Sequence, residues 1–123
     1  MDSLSPEHLT KLDQAKNIWF ASVRPDGRPH LAPVWFAFYG GRLYVSIEAT
    51  SVKGRNIQAN PQVALALEEG IHPVICEGRA APVVPPYPAQ VLEIFQKKYD
   101  WDLNTENQYS QLVEIIPLRW LAW

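Results

Sequence analysis

Cysteine is almost absent from this chain. The single copy, Cys76, excludes an internal disulfide and any zinc site built on cysteine. There is no block of basic residues, and the formal charge is −2, which argues against nucleic acid as the main partner. No apolar stretch is long enough to span a bilayer, so no membrane role is expected. Met1-Asp2-Ser3-Leu4-Ser5-Pro6 lacks a basic region followed by an apolar run. No signal peptide is therefore expected, and the chain reads as cytoplasmic. No Gly-rich phosphate loop, Ser–His–Asp set or carboxylate pair stands out, and the three His are not spaced as a metal site.

The chain does have the means to fill a core. At 123 residues, 47% hydrophobic and 20% charged, it reads as one folded domain over 1–123. Five Trp and 11 Pro are high for this length. Trp120 and Trp123 fall at the C-terminal end, where little core remains to bury them, which hints at a partner subunit or a ligand.

The stretch 43–56 organises the rest. Leu43 to Ile47 is rich in strand formers. Thr50 or Ser51 then offers an N-cap for a short helix over Ser51 to Ala59, which stops before Asn60-Pro61. Lys53 and Arg55 fall where the helix dipole is positive and acids are expected, and no Glu or Gln completes a capping box. Cations there repel the dipole unless an anion sits between them. Free N–H groups, hydroxyls, a Lys and an Arg together suit a phosphate. The plainer alternative is a solvated helix start with surface cations.

In chain order, Ser5-Pro6-Glu7 starts a helix over 6–16. Strands are expected at Ile18 to Val23, Arg28 to Tyr39, Leu43 to Glu48, Gln62 to Leu67, Pro73 to Val84 and Gln111 to Ile116, the last continuing after a kink. Pro29 and Pro33 require an edge or a bulge in the second strand, and Gly40-Gly41 turns a hairpin. Ala89 to Tyr99 has helical spacing, and 100–107 is a polar loop holding Trp101. The expected class is mainly β (α+β), a six-stranded antiparallel barrel with peripheral helices.

Asp26-Gly27-Arg28-Pro29-His30, Pro33-Val34-Trp35-Phe36, the Gly-Gly hairpin, Ser46-Ile47-Glu48-Ala49-Thr50-Ser51-Val52-Lys53-Gly54-Arg55-Asn56 and Asn60-Pro61-Gln62-Val63 follow one another in a familiar order. Together they resemble the pyridoxamine 5′-phosphate oxidase-like superfamily of flavin-binding split β-barrels, over nearly the whole chain. The resemblance implies a homodimer with FMN at the subunit interface and a small-molecule substrate. It implies that Thr50, Ser51 and Lys53 face the phosphate and that Asn56 fixes the turn. Pro33, Val34 and Trp35 would line one edge of the flavin ring, with Ser46 and Ile47 across from them. The function implied is that of an FMN-binding flavoprotein oxidoreductase. Some relatives use a deazaflavin coenzyme as reductases, and others bind flavin or haem without catalysis. The longer oxidases of the vitamin pathway carry a C-terminal segment rich in Arg and His with no counterpart here, so activity on pyridoxamine phosphate is not implied.

Other residues have plainer readings. Trp35 reads as a core or interface aromatic whose backbone contacts the flavin. His30 reads as a hydrogen-bonded structural residue, and Cys76 as a buried, inert thiol. Arg55 and Arg79 divide between ligand contact and structural pairing. Trp120, with Arg119 and Trp123, either covers a partner's flavin or packs on its own barrel. No catalytic acid or base is identifiable.

Overall fold

The computed structural model describes residues 4–123; Met1, Asp2 and Ser3, part of the stretch read above for a leader, lie outside the described residues. The elements are α1 (Pro6–Gln14), β1 (Ile18–Val23), β2 (Pro29–Val34), β3 (Phe36–Tyr39), β4 (Arg42–Ile47), α2 (Val52–Ala59), β5 (Gln62–Leu67), β6 (Val74–Pro82), α3 (Ala89–Tyr99) and β7 (Gln111–Ala122). The seven strands form one antiparallel sheet in the order β2-β1-β5-β6-β7-β4-β3. This is the expected split barrel with peripheral helices, with one strand more than the six expected.

The extra strand arises at Trp35. The stretch read as a single strand from Arg28 to Tyr39 pairs with β1 up to Val34 and with β4 from Phe36. β2 and β3 are the two edges of the sheet, so the chain crosses from one edge to the other through one residue that belongs to neither ladder. The sheet curls and its edges meet at Trp35 without pairing, which is the split.

Alternating residues fill the interior, as a half-buried strand requires. In β1, Ile18, Phe20 and Ser22 point in. Leu65, Val45, Ile115 and Trp120 meet them from other strands in one apolar cluster. A second cluster, with Phe95 and Val91 of α3 against Ala37, Tyr44 and Leu112, packs on the outside of β3, β4 and β7. β7 continues through Pro117, which cannot donate to a ladder. Pro117 sits opposite Gly78, where the register shifts. A Cβ on Gly78 would come 2.6 Å from the Ile116 carbonyl oxygen, so glycine permits this close approach.

α1 begins as its sequence suggests, with Ser5 as N-cap and Pro6 in the first turn. His8 completes a reciprocal cap: its N–H donates to Ser5 Oγ at 3.2 Å and its Nδ1 accepts from Ser5 N–H at 3.0 Å. The role usually filled by Glu or Gln is taken here by an imidazole.

Candidate functional site

A cleft of about 560 Å³ opens where the sheet edges meet. Pro33, Val34 and Trp35 form one side of it. Ser46 of β4 and Lys53 of α2 border it, and Asn17, Trp101, Glu106 and Tyr109 complete the lining. Five residues expected from the sequence to meet a cofactor therefore share one cleft: Pro33, Val34, Trp35, Ser46 and Lys53.

The other five do not line it. Ile47, next to Ser46 on a strand, points the opposite way; it is buried in the core and borders a separate cavity with Gly54 and Ile57. Thr50 is exposed in the turn before α2 and does not line the cleft. Ser51 is the N-cap of α2; its Oγ accepts from Gly54 N–H at 3.1 Å and donates to the Glu48 carbonyl at 2.6 Å. Asn56 is buried and donates from Nδ2 to Ser22 Oγ at 3.1 Å, tying α2 to β1. Trp120 lies in the barrel core, edge-on to Phe38 with centroids 6.0 Å apart, while Trp123 is exposed.

The first turn of α2 contains no acidic residue. Val52 and Lys53 open the helix, so their N–H groups have no intrahelical acceptor. Lys53 is half-buried and borders the cleft, and its ammonium has no hydrogen bond or ion pair among the described residues. Arg55 is exposed and does not line the cleft. The helix end thus presents positive charge that no acid among the described residues answers.

The opposite wall is aromatic. Trp35 stacks on Tyr99 with centroids 4.5 Å apart and planes 4° from parallel, and meets Trp101 edge-on at 5.7 Å. Trp101 also meets Tyr109 edge-on at 6.5 Å. Tyr99 Oη accepts from Phe36 N–H at 3.0 Å and lies 2.9 Å from the Lys16 carbonyl and 3.1 Å from the Phe36 carbonyl, one of which accepts its proton. It thereby satisfies the backbone just after the break. Burial pushes the Tyr99 phenol up to about 12, so it stays protonated.

The loop before β7 is held by its own acid. Glu106 accepts from Trp101 Nε1 at 2.7 Å and from the N–H groups of Gln108 and Tyr109 at 3.0 Å each. The bond from the Tyr109 backbone is the main reason its carboxyl titrates below the usual range, with the Trp101 bond next. Ser46 Oγ donates to the Tyr109 carbonyl and ties the loop to β4. Trp101, Glu106 and Tyr109 were not foreseen as cleft residues. The available signal was a tryptophan stranded in a polar loop.

Two further expectations concern single side chains. Cys76 is buried, and burial pushes its thiol up to about 12, as an inert core thiol requires. His30 was expected to be a hydrogen-bonded structural residue. Its Nδ1 is instead the buried side-chain polar atom without a partner among the described residues.

A curled sheet split at one residue, with a cationic helix start and an aromatic wall facing each other across the split, defines a split-barrel domain with a candidate site at the split. The chain belongs to the pyridoxamine 5′-phosphate oxidase family, whose model matches residues 4–123. Among solved structures it is similar to HutZ, the haem storage protein from Vibrio cholerae, at 19% identity and TM-score 0.82, covering 98% of this chain and 95% of that one. It is similar to an F420 reductase at 26% identity and TM-score 0.74, covering 96% and 98%. A conserved hypothetical protein from Mycobacterium tuberculosis aligns at 22% identity and TM-score 0.70, covering 98% and 85%. Comparison with curated proteins gives no match. Among the described residues, no helix is long and apolar enough to cross a membrane, and no group of three or more His, Cys, Asp or Glu is placed to hold a metal ion.

Proposed function

We propose that this protein is an FMN-binding oxidoreductase acting on a small substrate. The observation that carries the reading is the unanswered Lys53 ammonium at the start of α2, facing an aromatic wall across one cleft. The donor set suits the cofactor. Lys53 and the first N–H groups of α2 would hold the phosphate. The backbone of Trp35, outside both ladders, would meet the polar edge of the flavin ring. Trp35, Trp101 and Tyr109 would exclude water from the ring. FMN, when bound, supplies hydride or single-electron transfer, and the protein supplies anchoring and orientation.

The working unit in this reading is a homodimer with the cofactor at the subunit interface. Leu31 on edge strand β2, Leu118 on β7 and Trp123 are 61%, 62% and 66% exposed in the single chain, apolar surface that a second copy would cover.

A second reading, deazaflavin in place of FMN, draws support from the likeness to an F420 reductase at 26% identity. The test is a parallel titration of purified protein with FMN, the deazaflavin coenzyme and haemin. It is followed by absorbance, flavin fluorescence and mass in solution, then by reduction with NAD(P)H or dithionite and reoxidation. Binding of FMN by a dimer, with turnover, is expected. Preference for deazaflavin moves the protein to the second reading. A flavin that binds but passes no electrons to any acceptor, or a Soret band with no flavin binding, contradicts the oxidoreductase.

A further inference from the structure

His30 on β2 pairs in register with Ser22 of β1, and Ser22 is bonded to Asn56 of α2 at 3.1 Å. The imidazole therefore sits in the seam between the sheet edge and the helix that carries Lys53. Its Nδ1 is buried without a partner. A buried polar atom in that state is uncommon and costs free energy unless something completes it.

The charges that reach the ring are all of one sign. Arg24, in the turn leading to β2, and Lys53, from α2, both act on His30, and among the described residues no acid does. Arg24 is held in place by donation from Nη1 to the Pro29 carbonyl at 2.7 Å. Asp26, the nearest acid along the chain, is occupied by Arg28 at 2.7 Å. Burial, then Arg24, then Lys53 hold the imidazole below its usual value, so it is mostly neutral at pH 7. An arriving anion reverses each of these effects except burial. It screens both cations and supplies the missing negative charge.

We infer that His30 is a proton-linked cation supporting Lys53 at the phosphate site: a phosphate group held at the first turn of α2 draws a proton onto His30. His30 is a positioning residue, not a catalytic one. It does not border the cleft, and its charge supports the anion from the seam behind Lys53. The inference rests on the reading of that helix start as a phosphate anchor. Its consequence is linkage. Phosphate-bearing ligands bind with proton uptake, so their affinity falls by up to about tenfold per pH unit between the empty-site and occupied-site titrations of His30.

The experiment follows the imidazole signals of the folded protein by NMR from pH 5 to 8, alone, with FMN and with riboflavin. His30→Gln assigns the His30 signal against His8 and His72. The expected result is a His30 midpoint below 6.5 in the free protein that rises with FMN and stays put with riboflavin. FMN affinity measured over the same range in wild type and His30→Gln removes the contribution of the phosphate's own ionisation, which both proteins share. Wild type should lose affinity relative to the variant as pH rises. A His30 midpoint unmoved by FMN, or moved equally by riboflavin, overturns the inference and leaves the FMN reading standing. If FMN does not bind at any pH, that reading falls, and inorganic phosphate becomes the probe: a raised midpoint supports a bare-anion site, an unchanged one overturns the inference. If His30→Gln does not fold, His8→Gln and His72→Gln assign the His30 signal by elimination, and the NMR titration of the wild type decides.

Discussion

Trp35 lies flat on Tyr99, with 4.5 Å between ring centroids and 4° between planes, at the one residue where the chain passes between the edges of the sheet. The stack links α3 to the split. The Tyr99 hydroxyl takes the Phe36 N–H that begins β3, and the ring supports the wall of the cleft. Fold and site therefore depend on the same side chain.

Replacing Tyr99 by Phe keeps the stack and removes the hydroxyl. The Phe36 N–H loses its acceptor, which costs about 1–3 kcal/mol. Urea denaturation should show a lower midpoint with an unchanged slope. A variant as stable as wild type would mean that the hydroxyl does not secure the break.

Gly54 packs its α-carbon against the turn before α2. A Cβ there would lie 2.5 Å from both the Ala49 and the Glu48 carbonyl oxygens. Backbone, not a flexible side chain, stands in the way. Gly54→Ala should cost about 1–3 kcal/mol through this overpacking, and it should weaken flavin binding by displacing the first turn. Thermal melts and FMN titration of the variant check both.

Lys98 lies 3.7 Å from the centre of the Phe36 ring and donates to the Phe36 carbonyl at 3.2 Å. Burial, then the Lys16 charge, lower its ammonium to about 8, against a small opposing effect of Asp13. An unfolded lysine titrates at 10.5. Between these values the unfolded chain holds the extra proton, so this residue makes stability rise with pH from about 8. Cys76, pushed up to about 12 from 9.0, acts in the opposite sense above pH 9. The clean window is therefore pH 8 to 9. Denaturation midpoints across it should rise more in wild type than in Lys98→Met. Parallel curves would show that the amine is not desolvated.

Cys76 offers a check on the core itself. In the native protein it should resist an aromatic disulfide reagent at pH 8, and it should react within the mixing time in denaturant. Fast labelling of the native state would show that β6 opens readily.

Much of the fold was legible because it is written in local chemistry. Ser51 caps α2, Asn60-Pro61 ends it, Gly40-Gly41 turns the hairpin, and the strands alternate. The break at Trp35 was not legible. Val34 and Phe36 are both buried, so the apolar run continues across it. What divides the strand is a change of partner from β1 to β4, with the freed backbone satisfied by Tyr99 sixty-three positions away. The cleft was half legible for the same reason. Pro33, Trp35, Ser46 and Lys53 stand in short recognisable stretches, whereas Trp101, Glu106 and Tyr109 reach it from a loop whose polar composition resembles any surface turn. The inward direction of Ile47 follows from strand alternation once Ser46 is placed outward, but the sequence does not say which of the two faces the cleft.

The most direct test of the account compares two ligands on one substitution. Lys53→Ala and wild type are each titrated with FMN and with riboflavin, which lacks the phosphate. The lost charge-assisted contacts are worth about 1.5–3 kcal/mol, so FMN affinity should fall by about one to two decades while riboflavin affinity barely changes. Equal weakening of both ligands, or no weakening of either, would contradict a phosphate held by Lys53 at the start of α2.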